Sequence, residues 1–127
     1  MRKLLLALIA ALIATGLPLV WVEVGVAAPG WRKAVALAHI WGGFFFLVIF
    51  PLYAWDHVRE HRAWLRFLAG VTVTGLTQLS AGILLLLSGF VLLAYQSQAG
   101  GSPRMLHHLL TYVLLAALTG HFLSKKQ

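Results

Sequence analysis

The sequence predicts an all-α fold, an integral membrane four-helix bundle, on three observations. Of its 127 residues 61% are hydrophobic and the mean hydropathy is +0.88, more apolar surface than a soluble domain of this length can hide. Four charge-free windows reach the roughly 20 residues needed to cross a hydrocarbon core. The charged side chains, ten Lys and Arg against three Asp and Glu, stand singly or in small groups at the edges of those windows.

The helices are expected at about 4–22, 34–57, 71–95 and 105–123, forming one transmembrane domain over 1–127 with short connections. The first follows Arg2 and Lys3. Its basic start and the small residues of "GVAA" resemble a secretory signal, but the apolar run is too long for one, so it reads as an uncleaved helix. "EVGVAAPGWRK" separates it from the second span, which ends in the charged "DHVREHRAWLR". The third ends at "QSQAGGSPR", whose Gly, Pro and Arg are poor bilayer material, and the fourth runs on to the final lysines.

Lysine and arginine counts set the orientation. Arg2, Lys3, Arg59, Arg62, Arg66, Lys125 and Lys126 fall on one side, and Arg32, Lys33 and Arg104 on the other. By the positive-inside rule both termini are cytoplasmic, giving a multi-pass, N-in/C-in protein of a bacterial inner membrane. Trp21, Trp31, Trp55, Trp64, Tyr53 and Tyr95 cluster at span ends, as interfacial aromatics do. The pI of 10.7 and net charge of +7 therefore reflect topology and lipid headgroups, and no nucleic-acid partner is expected. The absence of cysteine excludes disulfides, iron–sulfur ligation, thiolate zinc sites and covalent haem attachment.

The six histidines carry the functional signal, because an ionisable residue in a bilayer is costly unless it has a task. His39 lies near the outer start of the second span and His57 and His61 at its inner end. His107 and His108 open the fourth span, and His121 lies near its inner end. His39 and His57 are 18 residues apart, five whole turns, and project from one side of their helix; His107 and His121, 14 apart, fall within about 40°. His108 is rotated by roughly 140° from His121, so phase prefers His107, while His61 is only about 40° from His57 and stays open as its substitute. Two helices that offer imidazoles at two membrane depths suit haem iron, which takes one axial nitrogen from each side. Gly42 and Gly43 beside His39, and Gly75, Gly82 and Gly89 at seven-residue steps, leave room for a second backbone or a cofactor edge.

Together, the paired histidines, "TGL" in the first span, "H-x-x-G-G" in the second, "LSGF" in the third and "LHHLL…H" in the fourth resemble the four-helix di-haem membrane cytochrome b family. That family includes the b-type cytochrome subunits of bacterial hydrogenases and formate dehydrogenases. The resemblance covers nearly the whole chain and rests on where the histidines fall. It implies two non-covalent haems b, with His39 and His107 on the outer iron and His57 and His121 on the inner one, His61 and His108 being the substitutes. Gly43 would border a haem, and Arg32 and Arg104 would pair with propionates or simply set topology. It further implies electron transfer between quinone and a periplasmic or membrane redox subunit of an oxidoreductase complex. Against a uniform geometry, His39 to His57 rises about 27 Å and His107 to His121 about 21 Å, a difference left to tilt or to a bend at Pro51.

Other readings remain. A single-haem anchor like those of succinate dehydrogenase would use only His39 and His107, and a haem-free structural or assembly subunit would use its histidines to bond helices together. Gln78 and Thr77 suit either a quinone head or a neighbouring helix. "HVREH" fits the H-x-x-E-H zinc-peptidase pattern, but that chemistry needs a further ligand and no Asp or Glu follows Glu60. Hydrolysis and phosphoryl transfer find no motif.

Overall fold

A computed structural model of the chain describes residues 2–23, 29–63, 70–95 and 101–124, with the side chains of 21–23, 29 and 71 excepted. The side chain of Trp21, and Trp64, Arg66, Lys125 and Lys126, on which part of the interface and orientation reading rests, lie outside the described set.

Among the described residues there are four long helices and no strand: α1 (Arg2–Glu23), α2 (Pro29–Glu60), α3 (Gly70–Tyr95) and α4 (Gly101–Ser124). All four are long and apolar enough to cross a membrane. Two begin four or five residues before their apolar windows. At α2 the start is Pro29, whose fixed φ suits the first helical position and whose missing N–H lacks a partner there in any helix. At α4 the start is Gly101, with Pro103 inside the first turn, where it costs no hydrogen bond. Arg32, Lys33 and Arg104 ended the apolar windows without ending the helices. At 32 residues, α2 is about 48 Å long, well beyond a hydrocarbon core of about 30 Å. Pro18 and Pro51 lie inside α1 and α2, positions that membrane helices tolerate.

Little of this apolar surface is turned inward. Only 11% to 17% of each apolar window is buried, and on α2 Trp41, Phe45, Val48, Leu52 and Trp55 are each more than half exposed. In water such a surface would aggregate, whereas in lipid it is the solvated face.

The chain divides into two compact units, Met1–Asp56 and His57–Gln127. In the first, Leu5 and Ile9 of α1 and Phe46 and Phe50 of α2 are buried, the two phenylalanine rings stacked with centroids 4.8 Å apart. In the second, α3 and α4 pack as an antiparallel pair. Leu110, Leu114 and Ala117 form the buried stripe of α4, and Thr72, Ala81 and Ser88 are buried on α3. Lipid offers no hydrophobic drive between helices, so small residues and interhelical hydrogen bonds must hold the pair. Those bonds share one register: Ser88 meets His107, Gln78 meets Ala117 and Thr74 meets His121. Each step down α3 matches an equal step up α4. Gln78 Nε2 donates to the Ala117 carbonyl at 3.0 Å, so of the two roles open to Gln78 it takes the interhelical one here.

Candidate functional site

Three histidines are seated in the same way, each ring lying against a hydroxyl residue followed by glycine on the neighbouring helix. In the first unit His39 of α2 meets Thr15–Gly16 of α1. Its Nδ1 is 3.1 Å from Thr15 Oγ1 and 3.1 Å from the Leu12 carbonyl. In the second unit His107 of α4 meets Ser88–Gly89 of α3, with Nδ1 2.8 Å from Ser88 Oγ. One register step away, His121 meets Thr74–Gly75, with Nδ1 3.2 Å from Thr74 Oγ1. The paired seats of α3 and α4 are 14 residues apart on both helices, about 21 Å along the axis.

Both parts of each seat have a physical reason. Glycine removes the side chain that would meet the ring edge: a Cβ at Gly16 would lie 3.0 Å from His39 Cε1. At Gly89 it would lie 3.6 Å from His107 Cε1, and at Gly75 3.8 Å from His121 Cε1. Each hydroxyl also reaches carbonyls of its own helix, Thr15 those of Ala11 at 2.8 Å and Leu12 at 3.2 Å, Thr74 that of Gly70 at 2.9 Å and Ser88 that of Leu85 at 3.1 Å. A hydroxyl that gives its proton to such a carbonyl accepts from an imidazole Nδ1–H, and one that gives it to the ring meets the other tautomer. At His39 the Leu12 carbonyl can only accept, which requires Nδ1–H as the donor.

At the end of α2, His57 and His121 have ring centroids 6.4 Å apart with planes at 71°. Two imidazoles bound through nitrogen on opposite sides of one metal ion, at about 2.0–2.1 Å each and roughly 1.1 Å more to each ring centre, would place the centroids about 6.3 Å apart. The observed separation is that of an edge-to-face ring contact as well. His61 lies beside this pair, its centroid 4.4 Å from that of His57. Its Nδ1–H donates to the His57 carbonyl at 3.0 Å and its backbone N–H to the same oxygen at 3.1 Å. The His61 ring thus caps the last turn of α2 through Nδ1, as His39 meets the Leu12 carbonyl.

The remaining site candidates fall as follows. His108 is half-buried on α4 and makes no hydroxyl contact of the kind made by its neighbour His107. Gly43 has no heavy atom of the described residues within 4 Å of where a Cβ would stand, whereas a Cβ at Gly42 would sit 2.9 Å from Leu12 Cδ2. Arg32 is exposed near the start of α2 and Arg104 half-buried in the first turn of α4. His39 belongs to the first unit and His107, His57 and His121 to the second. Among the described residues no group of three or more His, Cys, Asp or Glu side chains converges as a metal site. A macrocycle that brings four nitrogens of its own needs only two from the protein.

Thr15, Thr74 and Ser88 are the site residues that the sequence reading overlooked. Their signal was the hydroxyl–glycine dipeptide, which is not sufficient alone. Thr119–Gly120 is a fourth instance, and there a Cβ at Gly120 would stand 3.3 Å from the Thr74 methyl while Thr119 donates to the Leu115 carbonyl of its own helix. No family model, curated protein or solved structure matches this chain.

Proposed function

We propose that this protein is an integral membrane b-type cytochrome that binds two haems b, one through His57 and His121 and the other through His39 and His107. It would serve as the membrane subunit of an oxidoreductase complex, carrying electrons between quinone and a periplasmic or membrane redox partner. Its place would be a bacterial inner membrane, with both termini on the cytoplasmic side. The observation that carries this reading is the 6.4 Å separation of the His57 and His121 rings, an edge-to-face spacing that two imidazoles on one iron would also take. The uniform Nδ1 contacts of His39, His107 and His121 add to it, since a neutral ring that donates there carries its lone pair on Nε2.

When bound, haem supplies a one-electron couple at iron. The chain's own residues do the rest. His57 and His121 would hold one haem and His39 and His107 the other, at two depths of the membrane. Gly43 leaves open space on α2, and the apolar helices keep water from the site, which lowers the local dielectric and stiffens every polar contact. Arg32 and Arg104 offer guanidinium partners for carboxylates near the outer surface.

A second reading rests on the same hydrogen bonds. Since His39 bonds to α1, and His107 and His121 to α3, the three could act solely as ties between helices in a haem-free subunit. Purification of the chain from membranes, with dithionite-reduced minus oxidised visible spectra and extraction of haem, separates the two. The cytochrome reading expects a b-type spectrum and two haems per chain; one haem supports a single-haem anchor, and colourless protein refutes the cytochrome class.

A further inference from the structure

We infer that Thr15, Thr74 and Ser88 are positioning residues, each fixing which nitrogen of its partner histidine serves as the metal ligand and how strongly it donates. The iron part of this inference rests on the cytochrome reading; the tautomer part does not.

A neutral imidazole has one N–H and one lone pair, and in an apolar medium the two tautomers are separated by whichever nitrogen finds a partner. Here the partner is supplied at Nδ1 in all three cases, and by the same device. The hydroxyl is held by an i−4 or i−3 carbonyl of its own helix, so it cannot turn to donate to the ring without giving up that bond. Nδ1–H is thereby fixed toward the neighbouring helix and the lone pair is fixed on Nε2.

A simple tie between helices would not need the same nitrogen three times, since a contact through Nε2 would join two helices equally well. A shared need for Nε2 as ligand accounts for it. Metal-bound imidazoles commonly donate their other N–H to an oxygen, which raises ligand basicity, and loss of that partner typically weakens metal affinity about 10–100-fold. The more basic ligand also favours oxidised iron. His39 has a second acceptor in the Leu12 carbonyl, so Thr15 should matter less than Thr74 or Ser88.

The test has two readouts. In the haem-free full-length chain in detergent, 15N shifts of the histidine rings at a pH where they are neutral should report Nδ1–H for His39, His107 and His121; Nε2–H at these rings would overturn the inference, and no variant is needed to see it. In the haem-loaded chain, Ser88→Ala and Thr74→Val should each raise the midpoint potential of one haem and weaken its retention about 10–100-fold, with Ser88→Thr and Thr74→Ser restoring both, and Thr15→Val should act more weakly. Unchanged potentials in Ser88→Ala and Thr74→Val proteins that retain full haem would refute the positioning role. If the chain takes up no haem while its rings are Nδ1–H, the tautomer inference stands and the cytochrome reading fails.

Discussion

Replacing Gly16 by alanine tests the seat of His39 through a single methyl group. The new Cβ would stand 3.0 Å from His39 Cε1 and 3.4 Å from Nδ1, against an ordinary carbon contact of about 3.5–4.0 Å. The ring must therefore retreat by roughly 0.5 Å or more. Retreat stretches contacts to Thr15 Oγ1 and the Leu12 carbonyl that already stand at 3.1 Å, toward the limit of about 3.6 Å where a hydrogen bond is lost. Overpacking of this kind costs about 1–3 kcal/mol, and a lost interhelical bond about 0.6 kcal/mol more. Alanine in place of a helical glycine returns about 0.5–1 kcal/mol, so the net effect is destabilisation of about 0.6–3 kcal/mol. Gly89→Ala and Gly75→Ala are the controls, because their Cβ atoms would meet His107 and His121 at 3.6 and 3.8 Å, ordinary contact, and only the helix gain remains. Thermal unfolding in detergent, followed by circular dichroism, should place Gly16→Ala below the wild type and the two controls at or above it. Equal melting of all three variants, with an unmoved His39 ring signal in Gly16→Ala, would refute the seat.

Three further outcomes follow from the same geometry. His107→Ala should remove one haem's spectrum while His108→Ala leaves both, a contrast read by reduced-minus-oxidised spectroscopy; the reverse pattern would discard the phase argument. His61→Ala should keep both haems and fray the end of α2, since His57 is the ring paired with His121 and His61 bonds the His57 carbonyl; loss of a haem would make His61 a ligand. Gln78→Leu removes the bond to the Ala117 carbonyl and should lower stability by about 0.6 kcal/mol, and by no more than about 1.7, leaving haem content unchanged.

How much of this was legible before any coordinates follows from range. Four helices could be read because a 20-residue apolar window is a local property of the chain. Their starts at Pro29 and Gly101 could not, because Arg32, Lys33 and Arg104 interrupt apolarity while leaving helical geometry intact. The shared phase of His107 and His121 was computable from 14 residues of one helix, and both rings do meet α3 through the same kind of contact. What each histidine faces depends on the register between helices, which no single segment encodes. "TG" at 74–75 and "TG" at 119–120 read alike, yet one seats His121 and the other packs on Thr74. Pairing across the end of α2 is of this second kind too, since the proximity of His57 and His121 depends on where two distant segments come together.

That pairing is tested most directly by counting haem in the single variants His57→Ala and His121→Ala and in the double variant. Two rings on one iron make the losses non-additive: the wild type should hold two haems per chain, and each single variant and the double variant one. A double variant that holds fewer haems than either single one would mean that His57 and His121 serve different irons, and the account of a shared inner site would be wrong.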